Sequence, residues 1–426
     1  MSASELVLAA DAVLTPRERL APGWVRVRDG RIAGVAAGAP PPDGASVLRL
    51  PPGACLAPGF IDLHVHGGGG AQVGPDPAAI AEVARFHARH GTTRLLATTV
   101  ASPAAALLDT VRAVRDAARA PAPDGALVAG CHLEGPFVSP AKPGALDRRF
   151  LRAPDRGELE RLIAAGEGTV RMIVVAPELP GAPELIAAAA ADGLVVAIGH
   201  TAATHDEARA GIERGVRAAT HLFNAMAPLH HREPGAVGAA LAAPQVTVEL
   251  IADGVHLHPA VLRLVHAAKG AGRVSLVTDA MQAAGLPDGD YRLGDQAVTM
   301  RDGQVRLAGR DTLAGSTLTM DGAIRTSVAA GIPLPDALAM ASATPAALLG
   351  LVAETGRIEP GLAADLVVLD ERLAVLATMR AGAWLFRDAA LEPGAAGDQA
   401  RNDPRTPCAG PATAPESTSS RMSSSP

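Results

Sequence analysis

The stretch FIDLHVHGGGG, residues 60–70, sets an aliphatic run carrying two histidines, His64 and His66, directly against four glycines. Side chains of an extended strand alternate with a period of two, so both imidazoles face the same way. Such a pair tolerates burial when a cation or a hydrogen-bond network satisfies its nitrogens. The glycines are read as letting the backbone crowd against a ligand without Cβ clashes. A histidine pair ending a strand raises the question of what ends the other strands.

Outward from 56–66, the segments 93–100, 126–134, 170–177, 195–200, 217–222, 246–252 and 273–279 are further candidate strands. Most are rich in Val, Ile and Leu, as parallel strands covered on both faces are. Candidate helices at 76–90, 103–119, 182–192, 204–214 and 259–269 intervene. Eight strands alternating with helices predict an α/β chain folded as a (β/α)8 barrel. Residues 285–315 break this rhythm and read as strands and turns inserted after the eighth strand, with helices near 319–330 and 335–349.

Both ends of the chain carry short strand-like segments. VRVRDGRIAGV (25–35) reads as a hairpin turning at Asp29-Gly30, and 360–370 and 377–386 have the same character. Pairing the two ends predicts a small β-sandwich from residues 1–52 and 351–395, with the barrel over 53–350. The polar, Pro- and Ser-rich tail 396–426 is expected to be disordered.

The formal charge is −6, from 38 Lys+Arg against 44 Asp+Glu, without long runs of one sign. That argues against nucleic acid or an anionic membrane as partner. Cys55, Cys131 and Cys408 have no metal-type spacing and leave an odd one over, as in a reduced cytoplasmic chain. No basic segment precedes an apolar core at the N-terminus, and no apolar run is long enough to span a bilayer. The expectation is a cytoplasmic protein.

In barrels of this type the carboxyl ends of the strands surround one cavity. The third strand ends in GCHLEGPF with Glu134, the fifth in AIGHT with His200, and the sixth in ATHLFNAM with His221 and Asn224. The seventh gives ADGVH, with Asp253 and His256, and the eighth LVTDA, with Asp279. Taken singly, each has an ordinary explanation: a hydrogen-bonded core histidine, a helix cap, an ion-pair partner. Six strands delivering imidazole or carboxylate to one rim suit a divalent cation such as Zn²⁺. Two histidines and one glutamate would leave it an open position for water.

PGFIDLHVHGGGG, HLEGPF, GHT, THLFNAM, REPG, ADGVH, VTDA and LAGSTLTM occur in the order seen in N-acetylglucosamine-6-phosphate deacetylases, within the amidohydrolase superfamily. The chain resembles that family over roughly residues 5–390. The resemblance implies a metal-dependent barrel with a small β-sandwich, usually a homodimer, that hydrolyses the acetamide of an amino-sugar 6-phosphate. It implies Glu134, His200 and His221 as ligands of the main ion, and His64 and His66 as a second site that some members lack. One or two ions per subunit follow, with Zn²⁺ first and Fe²⁺, Mn²⁺ or Co²⁺ as alternatives. Asp279 matches the catalytic aspartate. Ala145, Asn224, Ala225, Arg232, Asp253, His256, Leu313, Ala314 and Gly315 match substrate-contacting positions. Arg232 and His256 are implied to handle the 6-phosphate near the subunit interface, one subunit's loop reaching its partner's site. Leu146 departs from the pattern, because many members carry a histidine there that polarises the substrate carbonyl.

Three alternatives stay open. The sugar is another epimer, such as N-acetylgalactosamine 6-phosphate; the chain is a different amidohydrolase; or it is a non-catalytic sugar-phosphate sensor. Amidohydrolases that bridge two metals with a carboxylated lysine fit poorly, since Lys142 lies in the loop after Glu134 and Lys269 ends a helix.

Overall fold

The computed structural model describes residues 5–391; the tail 396–426 and Cys408 lie outside the described residues. Eight parallel strands form its centre: Phe60–Val65, Thr92–Thr99, Leu127–Leu133, Val170–Val175, Val195–Ile198, Val216–Ala219, Thr247–Ile251 and Val274–Val277. Each pairs with the next in chain order. Inside the ring, Ile61, Leu63, Leu96, Met172, Ile251 and Val277 share one buried cluster. Alternate residues such as Leu95, Ile173, Val196 and Leu250 pack outward with helix residues Val111, Leu162, Ile186 and Leu262. Burial on both faces is why these strands read as unbroken apolar runs.

The seam between first and eighth strands closes at their carboxyl ends. Val65 bridges Ala280, the His66 amide donates to Ala280 O (2.8 Å), and the Asp279 amide donates to His64 O (2.9 Å). The buried Asp62 carboxylate adds contacts across the seam, accepting from the Thr278 hydroxyl (2.6 Å) and amide (3.2 Å). The ring is thus a (β/α)8 barrel with its last stitches beside the histidine pair.

Seven helices, from Pro77–Ala88 to Pro259–Lys269, alternate with the strands. Their starts are locally encoded: Asp76 caps one, Pro259 opens another, and Thr204 with Glu207 forms a capping box. Two helices were not among the candidates named. Arg156–Gly166 is as long as Pro259–Lys269 and is capped by Asp155, whereas Gly235–Ala242 (GAVGAALA) has no polar face or side-chain cap, so no period could announce it.

The chain ends form two further sheets. One orders Arg31–Ala37, Gly23–Arg28, Glu5–Ala10 and Ser46–Arg49; the other orders Ala383–Arg387, Val375–Arg380, Leu366–Leu369, Cys55–Pro58, Ala12–Leu14 and Arg19–Leu20. Leu8, Val25, Ile32, Leu56, Leu366 and Met379 form their common core. The hairpin turns where expected, with positive φ at Asp29 (51°) and Gly30 (75°). The segment 56–66, read as one strand, divides: Cys55–Pro58 pairs with Leu366–Leu369, and Phe60–Val65 enters the barrel. Gly59 links the sheet of the chain ends to the barrel. Arg94 of the second barrel strand ties them together, donating to Asp365 (2.9 Å) and Glu354 (2.7 Å).

The insertion after the eighth strand is antiparallel: Gly289–Leu293, Gln296–Arg301 and Gln304–Leu307, with Met281, Val298, Met300 and Ala314 in its own small core. The final helices, Met320–Ala329, Leu334–Ala341 and Ala343–Leu348, follow it.

Candidate metal centre and active site

Five barrel strands bring their terminal side chains to one point. Glu134 Oε1 lies 2.9 Å from His221 Nε2, 3.1 Å from His200 Nε2 and 3.3 Å from His64 Nε2, and its Oε2 lies 3.2 Å from His66 Nε2. His64 and His66 approach Nε2 to Nε2 at 3.1 Å, as do His200 and His221. Asp279 Oδ1 stands 3.2 Å from His66 Nε2 and 3.6 Å from His64 Nε2. Among the described residues three groups stand close enough to hold an ion: Glu134–His200–His221 and His64–His66–Asp279 at the cavity, and His64–His132–Glu249 behind them.

Hydrogen bonds on the far side of the rings test whether a cation fits. His66 Nδ1 faces the Thr98 carbonyl (3.1 Å) and His200 Nδ1 the Lys142 carbonyl (3.1 Å). A carbonyl only accepts, so both Nδ1 atoms carry a proton, and in the neutral rings both Nε2 atoms present lone pairs. Those lone pairs point at carboxylate oxygens, which are also acceptors. A positive charge must sit among them, and the donor set of imidazole and carboxylate is that of a divalent metal site. The local electrostatics agree. Burial opposes a charge on His66, yet its hydrogen bonds to the Asp279 and Glu134 carboxylates push its pKa up to about 9. Burial likewise works against Glu134, but the surrounding imidazoles hold it well below the usual carboxylate range. Protons and metal ions compete for the same lone pairs.

The backbone is strained to achieve this convergence. Ten described non-glycine residues have positive φ, and five crowd this rim: His200 (47°), His221 (28°), Phe223 (78°), Ala225 (50°) and Asp279 (49°). Each costs on the order of 1–3 kcal/mol, which persists where surrounding structure enforces it.

A cavity of about 300 Å³ opens over the cluster, the size of a small-molecule site. Besides the ionisable groups, Ala145, Asn224, Ala225, His256, Leu313 and Gly315 line it as expected. Leu146 lines it too and is buried. Three expected contact residues stand outside the cavity. The Arg232 side chain is exposed and donates to His231 Nε2 (2.8 Å). Asp253 spends its carboxylate on the Val255 amide (2.8 Å), the His256 amide (2.7 Å) and His256 Nδ1 (2.7 Å), so it orients His256. Ala314 is buried in the core of the insertion.

The reading of the glycine run also needs correction. None of the four lines the cavity. A Cβ at Gly67 would lie 2.5 Å from Ala71 O and one at Gly68 would lie 2.4 Å from the Phe86 ring, so these glycines admit neighbouring protein rather than ligand.

Sequence reasoning missed Arg306 and Asp311, which join the cavity wall from the insertion, the guanidinium donating to the Asp311 carboxylate (2.7 Å). Alternation offered a signal for Arg306, since it lies between the buried Val305 and Leu307 and so faces away from their core. Glu249 was also missed. It is fully buried in TVELI, where a charged residue inside an apolar strand was itself a signal.

A sequence profile described as the amidohydrolase family matches residues 55–385. N-acetylgalactosamine-6-phosphate deacetylase of Escherichia coli O157:H7 is 39% identical over 371 residues, covering 87% of this chain and 96% of that protein. N-acetylglucosamine-6-phosphate deacetylase of Bacillus subtilis (strain 168) is 34% identical over 388 residues, covering 90% and 98%. A mutant N-acetyl-D-glucosamine-6-phosphate deacetylase from Mycobacterium smegmatis, solved in complex with N-acetyl-D-glucosamine-6-phosphate, matches with a TM-score of 0.84 at 44% identity. That match covers 90% of this chain and 99% of the other.

Proposed function

The chain belongs to the amidohydrolase family, and from that membership we propose that it hydrolyses N-acetyl-D-glucosamine 6-phosphate to D-glucosamine 6-phosphate and acetate. One observation carries the chemistry: four imidazole Nε2 atoms lie within 3.3 Å of the Glu134 carboxylate, with Asp279 beside them at the cavity floor.

Family and donor set together imply a divalent cation. Glu134, His200 and His221 would hold the main ion and His64 with His66 a second; mixed imidazole and carboxylate donors favour Zn²⁺. When bound, such an ion supplies a water acidic enough to react near neutral pH and draws electron density from an amide carbonyl. Asp279 takes the proton of the attacking water and gives it to the departing amine nitrogen. Its Oδ1, 3.2 Å from His66 Nε2, is held over the cluster. Asn224, Ala145, Ala225 and the Leu313–Gly315 turn hold the sugar. Leu146 has no polar hydrogen to donate, so polarisation of the carbonyl would fall to an ion held by Glu134, His200 and His221.

His256, its Nδ1 engaged by Asp253, presents Nε2 toward the 6-phosphate. Arg232 stands outside its own cavity, which fits a homodimer in which it reaches the phosphate bound by the partner. We place the enzyme in the cytoplasm, where the free thiols of Cys55 and Cys131 stay reduced.

Acetate release by the metal-loaded chain, followed on the gluco and galacto 6-phosphates with metal per chain measured alongside, tests the reading. Metal-dependent release, faster on the gluco epimer, is expected. No release from either sugar ends the hydrolase reading, and preference for the galacto epimer replaces the substrate.

A further inference from the structure

Behind the metal cluster lies a second buried layer that the proposed reaction does not use. His64 turns Nε2 toward Glu134 and His66, and its Nδ1 points down into the barrel, 3.0 Å from Thr220 Oγ1 and 3.3 Å from Glu249 Oε2. Thr220 Oγ1 lies 2.6 Å from the same Glu249 oxygen. The hydroxyl has one hydrogen, and the carboxylate, acceptor only, takes it. Thr220 therefore accepts from His64, and His64 Nδ1 carries its proton. In the neutral ring that leaves the Nε2 lone pair facing the cluster. His132 closes the layer: its ring lies edge-on to His64 at 4.7 Å between centroids, and its own Nδ1 donates to Leu63 O (2.9 Å). His64, His132, Thr220 and Glu249 are each 0% exposed, so water cannot take over these roles.

We propose that Glu249 is a positioning residue that, with Thr220, fixes His64 in the tautomer and orientation that bind the second ion. The two residues convert what would be a core histidine into a metal ligand. Carboxylates placed behind metal-bound imidazoles act this way generally, and their loss weakens metal affinity about 10–100-fold. The inference rests on the divalent centre proposed above.

The test compares wild type, E249Q, T220V and H64N after loading with Zn²⁺ and equilibration against graded chelator, with ions per chain and apo-protein melting temperature as readouts. Wild type should hold two ions. E249Q and T220V should keep the ion on Glu134, His200 and His221 at unchanged affinity, hold the other about 10–100-fold more weakly, and melt as apo-proteins close to wild type. H64N should lose that second ion. The proposal is overturned if E249Q and T220V hold both ions as tightly as wild type. It is also overturned if wild type holds one ion that H64N does not disturb, or if a third ion depends on Glu249 and His132 as ligands. A wild type that binds no ion refutes the metal centre itself, a failure distinct from these.

Discussion

Replacing Asp279 by Asn removes the proton acceptor while leaving the Glu134–His200–His221 ligand set complete. Asn keeps the size of the side chain and tolerates the left-handed backbone (φ 49°) that Asp279 adopts. The local chain is held by the Asp279 amide on His64 O (2.9 Å) and by Ser316 N on Asp279 O (2.8 Å), so the fold should stand. Asp279 is absent from the Glu134–His200–His221 set, so that ion should remain. The amide cannot take a proton from water or return one to an amine. General acid–base catalysis contributes about 10²–10⁴-fold, or about 3–5 kcal/mol of transition-state stabilisation. Initial-rate acetate release by D279N should show kcat lower by about that factor with KM nearly unchanged. Metal analysis should still find the Glu134-bound ion. Loss of that ion together with activity, or a kcat decline under about tenfold, would refute the assignment.

Gly144 (φ 54°) lies against His200, and a Cβ there would meet His200 Cε1 at 3.0 Å. Gly144→Ala should cost about 1–2 kcal/mol of backbone strain and weaken metal retention under chelator challenge; unchanged retention refutes the contact. Arg94→Leu strands the buried Asp365 without its cation and should lower urea-unfolding stability by about 3–5 kcal/mol, partly recovered by adding Asp365→Asn. A loss below about 1 kcal/mol would show that this buried link contributes no more than an exposed one. Burial pushes His87 down from 6.5 to about 4, against a hydrogen bond to Gly67 O. Its contribution to stability is therefore complete above pH 6.5 and is lost as pH falls toward 4, by about 1.4 kcal/mol per pH unit. His87→Gln should flatten the stability curve in that window, and an unaltered slope would falsify the assignment.

The barrel was legible because its strands are apolar on both faces, and the metal cluster because its ligands sit where those strands end. Legibility failed where the sequence is silent about neighbours. Nothing in residues 56–66 says that Leu56 joins the sandwich core while Ile61 joins the barrel. Arg232 matches a motif, but a motif does not say which side of a cavity wall its side chain occupies. The positive φ angles of His200 and Ala225 are enforced by tertiary contacts and leave no local mark. Glu249 is different: its charge within an apolar strand was visible, and only its partners, Thr220 and His64, had to come from the fold.

The barrel seam has a consequence for how the protein is made. His64 leaves the ribosome early, and Asp279 and Ala280, which stitch the first strand to the last, leave more than two hundred residues later. A nascent chain halted before Val274 already owns all four clustered imidazoles and Glu134, yet has no closing strand to lock them in register. Metal capture with both ligand sets assembled is therefore a late event in biogenesis, and a prematurely terminated product is born without its second binding set.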